Sequence, residues 1–456
     1  MRKEMFNHEI NILRDTYRRL LRRQARINLA KLTNKTHPAD LATVFRYFTD
    51  EEQIEIFSLM NENEHTAEFL SELDDALVND LLSNETLERI AAIIEKAPSN
   101  DQSDILNALG GDKAQSVLEL LELEEQEEIA EIMGYPEDSA GSLMNTEVFT
   151  LRETITAGEA IKTLQDQEDA EMVFYLYITD DDDCLVGVIS LRVLTTTPAA
   201  TTLKNIMIKN VHSVRPETDQ EDVARIVAQY NFLAVPVIDS DSYLLGIVTV
   251  DDVVDVIREE ATEDFLQMAG AGKDREILLK SSWENAKTRL PWLFASWIGG
   301  IIAASLIGIF ENMLENIIAL AAFIPVILGM GGNIATQSST IIVRGMATGR
   351  VNIGGEVKLI IKEMKVGLLL GILYGILLGL FASIVFSNAP DNLGIVVGLS
   401  ICVSMLVAAT VGTAIPLALR KLDIDPAVAT GPFVTTSIDI LGVLFYFLIA
   451  GLFLSI

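Results

Sequence analysis

The sequence predicts a multidomain chain: an α-helical superhelical N-terminal domain, a tandem α/β repeat, a connecting helix and a transmembrane domain of five helices. Three observations carry that reading. Charge is segregated, because residues 286–456 hold 8 acids and 9 bases whereas residues 1–285 hold 57 acids and 25 bases. Apolar runs long enough to cross a hydrocarbon core, which takes about 20 helical residues, begin only near residue 291. Between residues 144 and 252 one pattern occurs twice. Together these exclude a single globular domain, a simple peripheral protein and a nucleic-acid binder driven by phosphate attraction, since acidic surface repels polyanions.

Residues 1–35 carry 10 bases and 3 acids, with Arg18, Arg19, Arg22, Arg23 and Arg26 set among Leu20, Leu21, Ile27 and Leu29. They read as a basic amphipathic helix that lies against a membrane surface, lies against the acidic remainder of the chain, or is simply solvated. They lack the continuous apolar core of a cleavable signal peptide. Residues 36–135 form an acidic domain of short amphipathic segments such as LATVFRYF, EEQIEIFSLM and TLERIAAIIEKA, divided by Pro38, Pro98, Gly110 and Gly111. Helices this short must bury their apolar stripes on one another, which predicts a solenoid-like array.

Residues 136–260 contain the repeat. LMNTEVFTLRETITAGEAIKTL followed by YLYITDDDDCLVGVISLRVL matches IMIKNVHSVRPETDQEDVARIV followed by AVPVIDSDSYLLGIVTVDDV. Each unit reads helix, strand, acidic turn, strand, helix, and Gly187 and Gly246 stand 59 residues apart in equivalent places. This pair resembles tandem CBS domains, which implies two halves packed about a nucleotide-sized cleft. The second copy keeps Gly246, Thr249 and Asp252, whose carboxylate suits a ribose, but the first has Val193 at the matching position. A purely structural pair is the alternative. Residues 261–290 are expected to continue as a connecting helix into the membrane without a flexible linker, so that movement in one part reaches the other. The two cysteines, Cys184 and Cys402, show no zinc or redox spacing.

In residues 291–456 five spans are expected, at 291–310, 317–330 with its continuation, 366–386, 394–419 and 430–456. Arg344, Arg350, Lys358, Lys362 and Lys365 lie between the second and third, and Arg420 and Lys421 follow the fourth. The positive-inside rule places these loops and the N-terminal domains in the cytoplasm and the C-terminus outside. The fifth span contains Asp439, with Thr435 and Thr436 at i−4 and i−3 on its face. A charge at that depth costs about 2.5–3.5 kcal/mol and marks an ion or proton pathway, unless it is a protonated acid bonded to a neighbouring helix. With no other charge read as lying deep in a span, the pathway suits a cation. In PVILGMGGNIATQSST, Pro325, Gly329, Gly331 and Gly332 are expected to break the second span beside a watery cavity, where Asn333, Thr336 and Gln337 add oxygens. The alternative is a glycine packing surface.

The runs PVILGMGGNIATQSS and DPAVATGPFVTTSID, the EEATED run after a CBS pair, and the acidic helical domain together resemble the MgtE family of magnesium transporters or channels, from about residue 36 onward. The resemblance implies a homodimer in the inner cell membrane, with a pore on the dimer axis between the fifth and second spans that cytosolic Mg²⁺ closes. It implies Asp439 as the pore acid, with Thr435, Thr436 and Asn333 beside it. Mg²⁺ gives up water reluctantly, so two Asp439 carboxylates on an axis suit a hydrated ion. It also implies cytosolic Mg²⁺ sites at Asp219, Glu221, Asp252, Glu260, Glu263, Asp264 and Asp425, with Asp101 and Asp104 in the N-terminal domain. ATP would enter the CBS cleft at Tyr175, Arg192 and Phe232, where Val193 replaces an acid. Asn231 and Gly431 also depart from the family pattern, at a cytosolic metal site and near the inner mouth of the pore. Rival readings are a carrier for Mg²⁺, Co²⁺ or Mn²⁺ and a membrane metal sensor without flux. No nucleophile and base pairing, HExxH or P-loop suggests an enzyme.

Overall fold

The computed structural model describes residues 2–166, 175–272, 281–351, 355–422, 424–429 and 431–454. It divides into two compact units, Met1–Ile257 and Arg258–Ile456.

The first unit opens with α1 (Arg2–Arg22) and continues through α2 (Arg26–Thr33), α3 (Pro38–Phe45), α4 (Asp50–Phe57), α5 (Glu64–Ser71), α6 (Asp75–Leu82), α7 (Leu87–Ile94), α8 (Ser99–Leu109), α9 (Gly111–Leu118) and α10 (Leu123–Ile132). Local chemistry sets their starts. Pro38 occupies the first turn of α3, where its missing N–H costs nothing. The side chains of Thr49, Asn63 and Thr86 accept N–H bonds from Glu52, Thr66 and Arg89 and cap α4, α5 and α7. Odd helices pack on odd, α1 on α3, α3 on α5, α5 on α7 and α7 on α9, while α2, α4, α6, α8 and α10 form the second row. This is the expected superhelix. Its core runs through Phe45, Phe57, Phe69, Leu82 and Ile90, all fully buried.

The repeat follows α11 (Ala140–Leu143). The first copy comprises β1 (Thr150–Arg152), α12 (Ala157–Asp166), β2 (Tyr175–Thr179), β3 (Leu185–Ser190) and α13 (Leu191–Thr196). The second comprises α14 (Gln220–Tyr230), β4 (Ala234–Ile238), β5 (Leu244–Thr249) and the start of α15 (Val250–Met268). The hairpins β2–β3 and β4–β5 share one register, with Gly187 opposite Ile178 and Gly246 opposite Val237. The lead segment of each copy bridges the last strand of the other, Asn145 to Ile247 and Ile208 to Val188. That crossing explains the two glycines. A Cβ at Gly187 would lie 2.6 Å from Met207 Sδ, and one at Gly246 would lie 2.8 Å from the Asn145 carbonyl.

The second unit holds the end of α15, then α16 (Ser282–Ile309), α17 (Glu311–Asn316), α18 (Ala319–Ala347), α19 (Glu356–Val385), α20 (Leu393–Arg420) and α21 (Pro432–Phe453). Among the described residues, α16, α18, α19, α20 and α21 are long and apolar enough to cross a membrane. Three expectations need correction. The connecting segment 261–290 is not one helix: α15 ends at Met268, Gly270 and Gly272 take positive φ, and Ser281 caps α16. Residues 273–280 of it lie outside the described residues. Pro325 and the glycine run do not break the second span, because α18 is continuous across them. Gly331 instead admits close neighbours, since a Cβ there would meet Ser404 Oγ at 2.8 Å and Ile438 Cγ2 at 3.0 Å. Finally, Lys358, Lys362, Glu363 and Lys365 belong to α19 rather than to a loop. A helix can run past the hydrocarbon core, so apolar runs alone mark its ends too narrowly.

Candidate ion pathway and acidic sensor sites

Asp439 stands on α21, which packs on α16, α18 and α20. Its neighbour Ile438 is buried and reaches the Gly331 notch of α18, and Asp439 itself is half-buried at the edge of that interface. Thr435 is also half-buried, and its hydroxyl donates to the Gly431 and Pro432 carbonyls at 3.1 and 3.3 Å, leaving its oxygen as acceptor. Thr436 is engaged differently, because its methyl side lies on Gly299 of α16 with no room for a side chain there. Asn333 is exposed on the face of α18 opposite its buried Ile327, Gly331, Ile334 and Ser338. Pro325, Gly329, Gln337 and Thr340 lie on the same exposed face. A membrane helix that turns Asn, Gln and Thr outward requires water or protein beside it, since lipid satisfies none of their polar groups.

Glu363 went unread in the sequence. It is 6% exposed on α19 and accepts a hydrogen bond from Ser338 Oγ of α18 at 3.0 Å. Glu363 lies in the first turns of α19 beside Lys358, Lys362 and Lys365, before the apolar run expected at 366–386, so it adds a buried acid near the end of a membrane helix. Its signal was present in LIIKEMKV, where Glu363 falls on the face of the small residues Gly367 and Gly371 four and eight positions on.

Two acidic groupings emerge outside the spans. In the first unit, Asp252 begins α15 and accepts from Thr249 Oγ1 at 2.5 Å and from Asn100 Nδ2 at 3.3 Å. Burial pushes its carboxyl up to about 7, and the nearby charges of Asp251 and Asp101 add to that. Asp101, on α8, is likewise raised by burial although Ser71 donates to it at 2.7 Å. The side-chain amide oxygen of Asn100 is buried and, among the described residues, unpaired. Ser99 binds the Thr146 N–H at 3.0 Å, so the start of α8 is sewn to the repeat. An orphaned oxygen beside crowded carboxylates fits a hydrated hard cation. Asp104 lies one turn further along α8.

In the second unit, burial pushes Asp264 up to about 6, with Asp425 and Glu263 raising it and Arg344 opposing them. Asp425 also accepts from the Ala427 N–H at 2.8 Å. Gln267 is 1% exposed, donates to Glu263 at 2.8 Å and leaves its own side-chain amide oxygen unpaired among the described residues. The end of α15 rests on the start of α21, because a Cβ at Gly431 would lie 3.4 Å from the Met268 carbonyl and 3.5 Å from that of Gln267. Glu260 is half-buried on the same helix.

Other expected residues have visible structural duties. Asp219 caps α14, accepting from the Glu221 N–H at 2.8 Å. Asn231 ends that helix in the left-handed region at φ 55°, which asparagine tolerates well. Tyr175 pairs with Ser190, the cap of the short helix α13 that carries Arg192 and an exposed Val193. Phe232 packs on Tyr230 and His212, with centroids 5.3 and 5.6 Å away. Among the described residues no three His, Cys, Asp or Glu side chains form a ready-made metal site.

Residues 324–449 match the MgtE family, described as a divalent cation transporter, residues 36–138 match the MgtE intracellular N domain, and residues 140–196 and 203–259 match CBS domains. The magnesium transporter MgtE of Bacillus subtilis is 32% identical over 422 residues, covering 92% of this chain and 93% of that protein. The chain belongs to the MgtE family. The magnesium transporter MgtE of Thermus thermophilus is 35% identical over 94% of this chain and 95% of that protein. A crystal structure of the cytosolic domain of the Mg²⁺ channel MgtE in complex with ATP is 33% identical, covers 53% of this chain and 99% of that one, and superposes with a TM-score of 0.51. MgtE proteins are transporters and not enzymes, so the architecture is an MgtE N domain, tandem CBS domains and a membrane domain of apolar helices.

Proposed function

We propose that this MgtE protein is a magnesium-selective channel of the inner cell membrane, working as a homodimer with its C-terminus outside and closed by cytosolic Mg²⁺. One observation carries the reading: Asp439 is a carboxylate on a membrane helix at the edge of the α18–α21 interface, where no hydrocarbon environment would retain a charge without a use. Two copies would bring two such carboxylates to a hydrated ion, with Asn333 and Thr435 as further oxygens. The outward polar face of α18 supports a second copy or a water-filled path beside it. Proteoliposomes loaded with a magnesium indicator test this directly. Saturable Mg²⁺ entry that Co²⁺ and Mn²⁺ fail to match is the expected result, and absence of flux from folded protein would replace the channel with a sensor.

Gating follows from the acidic groupings. Burial, with neighbouring acids adding to it, raises Asp252 to about 7 and Asp264 to about 6, and a divalent cation coordinating the same oxygens would favour their charged forms. Sites at Asp219, Glu221, Asp252, Glu260, Glu263, Asp264 and Asp425, with Asp101 and Asp104, would favour the compact closed state at high Mg²⁺ by population shift. The end of α15 against Gly431 supplies the lever on α21. The solved relative carries ATP. In this chain a nucleotide at Tyr175, Arg192 and Phe232 would bind without an acid at position 193, and is expected to be weak.

A further inference from the structure

The basic N-terminal helix supplies the inference. Its apolar side is used internally: Ile10, Tyr17 and Leu21 enter the core of the helical domain, the Tyr17 hydroxyl lies 3.2 Å from Thr36 Oγ1, and the Tyr17 ring sits 5.7 Å from Phe48. Its continuous apolar stripe is therefore committed to the domain core, and the exposed side of the helix is what remains to meet a surface.

The opposite side is a row of guanidinium groups. Arg14 is paired with Asp15 at 3.0 Å, Arg18 donates to the Tyr47 carbonyl at 2.9 Å, and Arg26 lies 3.6 Å from Glu55. The side chains of Arg19, Arg22 and Arg23 are exposed and, among the described residues, make no hydrogen bond or ion pair. Arg18, Arg19, Arg22 and Arg23 line a shallow cleft of about 430 Å³ together with Asp15. Ile12 at 54% exposure lies on the same face one end along, and Ile27 at 75% exposure follows the other.

We infer that this row docks on the phosphate headgroups of an anionic lipid leaflet. The shape of the row favours a planar occupant over a soluble phosphate. Arg18 to Arg23 spans about 7.5 Å of helix, and the cleft they line is shallow and open rather than a pocket closed round one anion. Exposed isoleucines at both ends suit the boundary between headgroups and acyl chains. Guanidinium forks match phosphate oxygens in pairs. Charge elsewhere makes the contact directional, since residues 36–285 hold 54 acids and 15 bases and are repelled by an anionic leaflet. The basic edge is thus the part of the cytosolic domains that such a surface attracts. The inference rests on the chain being a membrane protein and not on which ion it passes.

The test uses the full chain in nanodiscs, with Ile12→Cys labelled by an environment-sensitive fluorophore in a Cys184→Ser/Cys402→Ser background. Phosphatidylglycerol discs should shift the emission to the blue relative to phosphatidylcholine discs, and raised salt should reverse the shift. The triple change Arg19→Gln/Arg22→Gln/Arg23→Gln should abolish it, while the Lys equivalents should retain most of it. Among the described residues these three side chains have no partners to lose, and circular dichroism checks that the helix remains. Identical emission in both discs overturns the inference. So does a shift in phosphatidylcholine discs, which would indicate docking on the protein's own acids, or one produced there by added pyrophosphate, which would indicate a soluble anion. The salt reversal in the unsubstituted arginine row decides the matter if the triple variant fails to fold.

Discussion

The membrane unit contains two helix pairs built on opposite plans. Between α19 and α20 the contact is backbone on backbone: Gly367, Gly371, Gly375 and Gly379 recur every fourth residue, and Cβ atoms there would lie 2.5–2.8 Å from Ala409, Cys402, Gly398 and Gly394. Between α18 and α21 the notches are sparser, at Gly331 and Gly442, and Ile438 and Leu328 fill them. Asp439 and Thr435 border that second contact. Close glycine packing maximises dispersion contact and leaves no room for water or an ion. The looser pair has room at its edge for polar groups. The first pair fits a scaffold, and the second is where the proposed ion pathway would run.

That contrast can be broken in graded steps. Asp439→Ala should give the largest effect on function, reducing Mg²⁺ entry into proteoliposomes to background with the thermal melt in detergent unchanged; undiminished flux would remove Asp439 from the pathway. Gly375→Val should give the largest effect on stability, because its side chain would collide with the Gly398 carbonyl, and overpacking of this kind costs roughly 1–3 kcal/mol. A lowered melting temperature with normal flux per folded molecule is the expected pattern. Glu363→Ala should destabilise by about 1–3 kcal/mol through the loss of the partner of buried Ser338, and Glu363→Gln should recover most of it. Equal melts for the two would deny the hydrogen bond a role. The mildest change is Asp264→Asn, which relieves repulsion by Asp425. It should raise the Mg²⁺ concentration needed to protect the cytosolic domains from protease, leaving flux at low Mg²⁺ intact.

Much of this was legible residue by residue. Breakers at Pro38, Pro98, Gly110 and Gly111 marked the divisions between short helices, because such signals act within one turn. The equivalence of Gly187 and Gly246 pointed to a repeat, and the structure explains it by the lead segments that cross above them. Glu363 escaped notice because its burial depends on Ser338 of another helix, 25 positions earlier. The glycines after Pro325 misled for a related reason. A glycine weakens a helix locally, but α20 and α21 pack against α18, which stays continuous.

Asp439 and Asp264 mark the boundary between the two kinds of information. Charge segregation, apolar runs of membrane length and a lone acid within one of them are properties of composition and spacing, so the architecture and the transport reading could be drawn from the chain alone. Which carboxylates are crowded cannot be. Asp252 with Asn100 and Asp101, and Asp264 with Asp425, are brought together across wide stretches of sequence. Burial and the proximity of like charges exist only once the chain has folded.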